Sequence, residues 1–312
     1  MDANRGFGGI DSARLPPGVS LYRGKVRDVL DTGSSLVMVT TDRVSAFDRS
    51  LGVLPGKGEL LNQISLYWFR QTADLVPNHL LAEISSRAIR ARKAQVLPVE
   101  VIVRGYLTGS AWRDWSKGVL TPGLEDLDRT QNWKPHQKLP EPRVTPSTKA
   151  AQGEHDEPIS HAQIVDRGLV PKELWQQVVS TALAVFERGR KVLAERGLIL
   201  VDAKYEFGLV DGRLVLVDEL HTPDCSRFWY ADDYQSAFGE GREPRKLDKE
   251  YLRAWLLEQG FSGEGAPPPI PDAVWETTLD RYKEAFRLIT GASFSPSSDS
   301  PEAQTQRILS SL

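Results

Sequence analysis

A single cysteine, Cys225, stands among 312 residues. That excludes an intrachain disulfide and suits a reducing compartment. Histidine is scarce, with five. His155 lies between acids in Gly153-Glu154-His155-Asp156-Glu157, but one imidazole in a polar loop does not make a zinc site. No apolar run approaches the length that spans a bilayer. The opening Met-Asp-Ala-Asn-Arg-Gly-Phe-Gly-Gly lacks the apolar stretch of a secretory leader. Basic excess is missing too: 39 Lys and Arg against 42 Asp and Glu leave a net charge of −3. This removes any general attraction to nucleic acid or an anionic membrane, and leaves room only for a local basic cleft. The expectation is a cytoplasmic monomer acting on small molecules, with no nucleic-acid or membrane partner.

What is present is most informative over residues 198–229. Leu-Ile-Leu-Val-Asp-Ala-Lys-Tyr-Glu-Phe-Gly is followed by a turn and Leu-Val-Leu-Val-Asp-Glu-Leu-His-Thr-Pro-Asp-Cys-Ser-Arg-Phe-Trp. Asp202, Lys204 and Glu206 alternate with Val201, Ala203, Tyr205 and Phe207. On a strand, such alternation puts an acid, a base and an acid on one face and apolar groups on the other. A buried charged row is costly unless paired or bound to a ligand. Carboxylates that hold a divalent ion, with an ammonium that neutralises phosphate, satisfy that need. A surface hairpin with a solvated ladder of ion pairs is the alternative. Val210-Asp211-Gly212 reads as a three-residue loop with Gly212 left-handed. That register sets Lys204 opposite Asp218 and sends Val215 and Val217 to the side of Tyr205 and Phe207. Lys204, Glu206 and Asp218 are then expected in one cavity.

The length suits about two domains. Residues 1–18, rich in Gly and Pro, read as a loose lead-in. Strands are expected at 21–28 and 36–41, joined through Asp31-Thr32-Gly33-Ser34, with a helix at 59–75 and a strand within 94–106. Residues 134–162 hold five prolines and little periodicity, and read as a lid-like loop. Helices are expected over 171–196, 249–259 and 272–290, and 293–301 as a loose tail section.

Five further segments could carry chemistry. In Tyr22-Arg23-Gly24-Lys25-Val26-Arg27-Asp28, Lys25 and Arg27 share a strand face where both could meet phosphate, although the segment is neither a Walker loop nor a GxGxxG. Thr40 to Asp48 gathers hydroxyls and acids in a loop. Glu100 and Arg104 share a face of the next strand, and Gly105 and Gly109 bracket a turn that presents Ser110 to an anion. An internal Glu–Arg pair is the plain reading there. The lid offers Ser147, Thr148, Lys149 and Asp156. Ser226 and Arg227 can grip a carboxylate or phosphate, while Cys225 has no evident base and reads as inert.

Together YRGKVRD, TTDRVSAFD, GKGELLNQIS, VEVIVRGYLTGSAW, LPEPRVTPSTKA with GEHDEPIS, LILVDAKYEFG and VDELHTPDCSRFW resemble the SAICAR synthetase family in its longer, yeast-like form. Cys225 departs mildly, where a small residue such as Ser or Gly is the pattern. The resemblance implies an α+β, two-lobed fold. A small antiparallel β lobe (1–110) would cover a larger α/β lobe (111–312), with ATP in the cleft. It also implies an ATP-dependent ligase that joins carboxyaminoimidazole ribotide (CAIR) to L-aspartate through an acyl phosphate, with Mg²⁺. By the family pattern Lys204 and Asp202 would serve catalysis. Lys25, Arg27, Lys204, Glu206 and Asp218 would bind ATP, the two acids holding metal. Glu100, Arg104, Ser110, Asp202 and Arg227 would bind the ribotide. Ser147, Thr148, Lys149, Asp156 and Ser226 would form the lid and aspartate region. A kinase-like phosphotransferase and a non-catalytic nucleotide-binding module are the rivals.

Overall fold

The computed structural model describes residues 6–47, 49–149, 156–247 and 250–312. The first sheet is built from local hairpins. β1 (Ser20–Arg23) turns at Gly24–Val26 into β2 (Arg27–Asp31), which pairs with β3 (Leu36–Thr40). The short ribbon β4 (Arg43–Ala46) with β5 (Arg49–Val53) leads into helix α1 (Lys57–Gln71). β6 (Leu80–Ser85) and β7 (Ala88–Ala91) return to the sheet, giving the antiparallel order β1-β2-β3-β7-β6. One face buries Leu30, Val37 and Val39, and Leu66 of α1 lies against Met38 and Ile89 of the same sheet.

The second sheet begins with β8 (Gln95–Val96) and β9 (Val99–Leu107). It continues, after helix α2 (Gly109–Ser116), with β10 (Gln137–Thr148). Helices α3 (His161–Asp166) and α4 (Lys172–Ala194) precede β11 (Leu198–Val210), β12 (Arg213–Val217) and β13 (Ser226–Tyr230). Helices α5 (Ala231–Glu240), α6 (Glu250–Glu258), α7 (Asp272–Thr290) and α8 (Pro301–Leu309) complete the chain. β11 is the hub of this sheet, antiparallel to β9, β12, β13 and β8. Its apolar face (Tyr205, Phe207) joins the main core with Val185 and Phe186 of α4. The architecture is the α+β, two-lobed one, and the two sheets part between Ala91 and Gln95. β9, with Glu100 and Arg104, is therefore a strand of the larger sheet.

Several sequence expectations give way. The hairpin loop has two residues, Asp211 and Gly212, both left-handed with φ of 51° and 75°. Such a turn matches the twist of the strands it joins. Glu206 then lies opposite Val217, and Leu214 and Leu216, not Val215 and Val217, share the core with Tyr205 and Phe207. The strand expected at 21–28 breaks at Gly24, so Lys25 sits in a turn rather than beside Arg27 on a strand face. Most of the expected lid is ordered: β10 pairs with β9 along Arg143–Thr148 and Gln137–Lys138. Gly153, Glu154 and His155 of the lid, and Asp48, lie outside the described residues. The lead-in is anchored, because Phe7 and Ile10 are buried with Leu30 and Ile308. The tail section ends in α8, capped by Ser300.

Candidate active site

Two cavities meet at one side chain. The first, about 460 Å³, opens between the sheets. Val29 and Met38 give it an apolar wall, and Lys25, Arg27, Lys149 and Glu219 a polar one. The second, about 230 Å³, is lined by Arg104, Ser110, Asp202, Ser226 and Arg227. Lys204 lines both. A larger hollow of about 680 Å³ lies elsewhere, around Arg196, Arg245 and Arg281. Those arginines already bond to Ile289 O, to Asp232 and to Lys246 O within their own surroundings.

In the first cavity Lys204, Glu206 and Asp218 come together as expected, but Asp218 arrives by a different route. β12 ends at Val217, and Asp218 adopts a left-handed φ of 67°, leaving the strand alternation. Its carboxylate lies 2.6 Å from the Arg27 guanidinium, whose other arm bonds Glu219 at 2.7 Å. Lys204 bonds Glu100 at 2.5 Å and approaches Glu206 at 3.4 Å, while Lys149 also bonds Glu206. Burial would drive the Lys204 ammonium to lose its proton. The carboxylates of Glu206, Glu100 and Asp218 outweigh that and hold its pKa above the ordinary lysine range. Burial pushes Asp218 up to about 6, against the pull of Arg27. Glu100 is likewise raised by burial, despite Lys204. Glu206 is held low: burial raises it, but Lys204 and Lys149 overcome that. Among the described residues, no group of three or more His, Cys, Asp and Glu forms a ready metal cage.

In the second cavity Asp202 faces Arg104 on one neighbouring strand and Arg227 on the other. Its carboxylate lies 2.5 Å from Arg227 and 3.4 Å from Arg104. Arg104 also donates to Thr145 at 2.8 Å and Ser110 at 3.1 Å. Glu100 and Arg104 do not pair with each other, contrary to the plain reading of that strand. Gly109 is required here. It begins α2 at φ 59°, and a Cβ there would stand 2.7 Å from Arg227 Nη1. Asp224 closes the far side, held by Lys57 at 2.8 Å and the Tyr282 hydroxyl at 2.5 Å. Cys225 lines the same cavity, but burial pushes its thiol up to about 12, as suits an inert residue.

Ser147, Thr148 and Asp156 line neither cavity; Thr148 instead bonds the Glu157 backbone. Sequence reasoning missed Glu219, His79 and Arg253. Glu219 adjoins Asp218, and two successive acids after an apolar strand were the available signal. Arg253 reaches the second cavity from α6, more than twenty residues beyond the last motif, with no local pattern to mark it.

A family model for SAICAR synthetase matches residues 20–268. The chain is 46% identical over 284 residues to the phosphoribosylaminoimidazole-succinocarboxamide synthase of Bacteroides fragilis, covering 90% of each chain. Its fold is similar to the SAICAR synthase of Saccharomyces cerevisiae in complex with SAICAR. That match has 33% identity and a TM-score of 0.77, and covers 92% of this chain and 100% of that one. A SAICAR synthetase in complex with ADP is similar at 26% identity and a TM-score of 0.66, covering 88% of this chain and 100% of that one. The charged strand, the two cavities and these likenesses converge: the chain belongs to the SAICAR synthetase family.

Proposed function

We propose that this chain is the ATP-dependent ligase that joins CAIR and L-aspartate into SAICAR, with release of ADP and phosphate. The observation that carries the reading is Lys204 on the shared wall of the two cavities. A carboxylate is a poor acyl donor, and activating it requires the γ-phosphate of ATP to meet the ribotide carboxylate. An ammonium common to both cavities sits where those two anions must approach. Because its neighbours keep it protonated, Lys204 acts as a fixed positive charge and not as a base.

The nucleotide would occupy the first cavity, with its base toward Val29 and Met38 and its phosphates toward Lys25, Lys204 and Arg27. Arg27 is already engaged by Asp218 and Glu219, so it would serve chiefly to hold those acids. Glu206 and Asp218 suit Mg²⁺, an ion usually held by one or two carboxylates together with nucleotide phosphates and water rather than by an all-protein cage. When bound it would offset charge on the transferring phosphoryl group. In the second cavity Arg104, Ser110 and Arg227 would take the ribotide phosphate, with Asp202 orienting both guanidinium groups. Glu100 would face the imidazole side. Lys149 and Ser226 would border the aspartate, and the segment around Ser147, Thr148 and Asp156 would border the cleft from outside.

The test is ADP release by the purified protein with ATP, Mg²⁺ and CAIR, with and without L-aspartate. Release that requires both CAIR and aspartate is expected. Release indifferent to aspartate would point to a phosphotransferase and end the ligase reading.

A further inference from the structure

The segment 218–226 carries acids that face the cavities, yet its most buried titratable side chain faces away from them. His221 is wholly buried. Its Nε2 lies 2.5 Å from the Tyr205 hydroxyl. Its ring meets Trp68 edge-on, with centroids 4.7 Å apart. Its Cε1 lies against Gly189 of α4, where a Cβ would come within 2.4 Å. Tyr205 sits on β11 between Lys204 and Glu206, so its ring points to the opposite face of that strand.

Three local penalties meet at this one imidazole. His221 has a φ of 45°, in the left-handed region that side chains other than glycine seldom adopt. Gly189 places in mid-helix the residue that disfavours helix most after proline. Nδ1 is buried with no hydrogen-bond partner among the described residues. A core that needed only filling would not concentrate all three, and Phe207, Leu216 and Leu220 fill the same core without them. What the imidazole adds is a directional contact of fixed length, made to the residue between Lys204 and Glu206.

We propose that the Tyr205–His221 hydrogen bond positions the acid-bearing segment, setting Asp218 and Glu219 at their working distance from Lys204 and Glu206. Both are positioning residues, since neither lines a cavity. The half of the site formed by Arg104, Asp202 and Arg227 is set separately, by the pairing of β11 with β9 and β13, and Asp224 on its far side is tied down by Lys57 and Tyr282. The nucleotide half should therefore respond to loss of this bond and the ribotide half should not. The choice of ligands rests on the ligase reading; the geometry does not.

Tyr205→Phe removes the hydroxyl and keeps the ring. Binding of Mg²⁺–ADP and of CAIR to the full chain is measured by calorimetry, with thermal melting alongside. In the variant, Mg²⁺–ADP should bind at least tenfold more weakly and CAIR within twofold of wild type, with melting lowered by a few degrees. His221→Phe should behave alike, and the double variant should lose no more than either single one, because one bond is broken in all three. Unchanged Mg²⁺–ADP affinity in Tyr205→Phe overturns the proposal. So does parallel weakening of both ligands, the mark of a generally loosened protein. Wild type that binds neither ligand would overturn the ligase reading, and the assigned ligands with it, and is told apart because no variant is needed to see it.

Discussion

Asp202 sits between two guanidinium groups, and this fixes what each arginine can do. Arg104 divides its donors among Asp202, Thr145 and Ser110. Arg227, on the opposite strand, bonds Asp202 and lines the same cavity. Removing Arg227 leaves Asp202 still paired with Arg104, so the fold should survive while, on the proposed assignment, the ribotide loses one of the three groups that take its phosphate. For Arg227→Ala we expect the KM for CAIR to rise 10- to 100-fold and the KM for ATP to stay within twofold, as measured by steady-state ADP release. Equal effects on both would detach Arg227 from the ribotide. The row Asp202, Lys204, Glu206 was legible in the sequence because alternation along a strand survives any error of pairing register. Asp218 was placed in the right cavity for the wrong reason. Its orientation depends on a left-handed aspartate, a conformation that residue type tolerates but does not announce.

At the scale of elements, apolar periodicity located α1, α4 and α7 and failed where the buried face is polar. α8 turns Gln304, Thr305 and Ile308 inward, so only one of its three buried residues is apolar. β10 was hidden for another reason: Pro140, Pro142 and Pro146 read as loop, whereas proline is tolerated on a strand at the edge of a sheet, which is where β10 lies. The polar face of α8 completes a buried network. Gln304 accepts from Arg87 and donates to Glu59, and Arg87 also bonds Asp42, which in turn receives the backbone N–H groups of Phe7 and Gly58. One amide thus ties the C-terminal helix to the lead-in and to the start of α1. Gln304→Leu keeps the volume but leaves a buried guanidinium donor and a carboxylate oxygen each short of a partner. Each such loss costs about 1–3 kcal/mol. Urea denaturation should therefore show a loss of about 2 kcal/mol or more with an unchanged m-value, and a neutral result would mean that water replaces the amide.

The whole molecule closes on itself through charges that cross between its sheets, and burying those charges carries a cost. Arg27 of the first sheet grips Asp218 and Glu219, which follow β12 of the second, and Lys57 of α1 grips Asp224. Even so, burial leaves Asp218 with a pKa of about 6, above the ordinary aspartate value of 3.8. The folded state therefore binds more protons at this site than the unfolded chain does between pH 3.8 and 6. Stability contributed by Asp218 falls as pH rises through that window and stays reduced above it. The buried imidazoles of His79 and His221, lowered by burial to about 4 and 3, push the other way, since the unfolded chain protonates first as pH falls below 6.5. Wild type and Asp218→Asn share those two histidines, so their difference isolates the carboxyl. Without ligands, Asp218→Asn should be more stable than wild type at pH 7.5, by about 2 kcal/mol in urea denaturation. The advantage should shrink as pH falls through 6 and vanish near pH 4. On the proposed assignment of Asp218 to Mg²⁺, the same variant should lose most of its ligase turnover, because an amide cannot replace a carboxylate toward a divalent ion. A protein that gains stability as it loses activity at a single residue has placed that residue for chemistry and not for folding. An Asp218→Asn protein less stable than wild type at pH 7.5 would mean instead that Arg27 outweighs burial and that Asp218 belongs to the structural closure between the sheets.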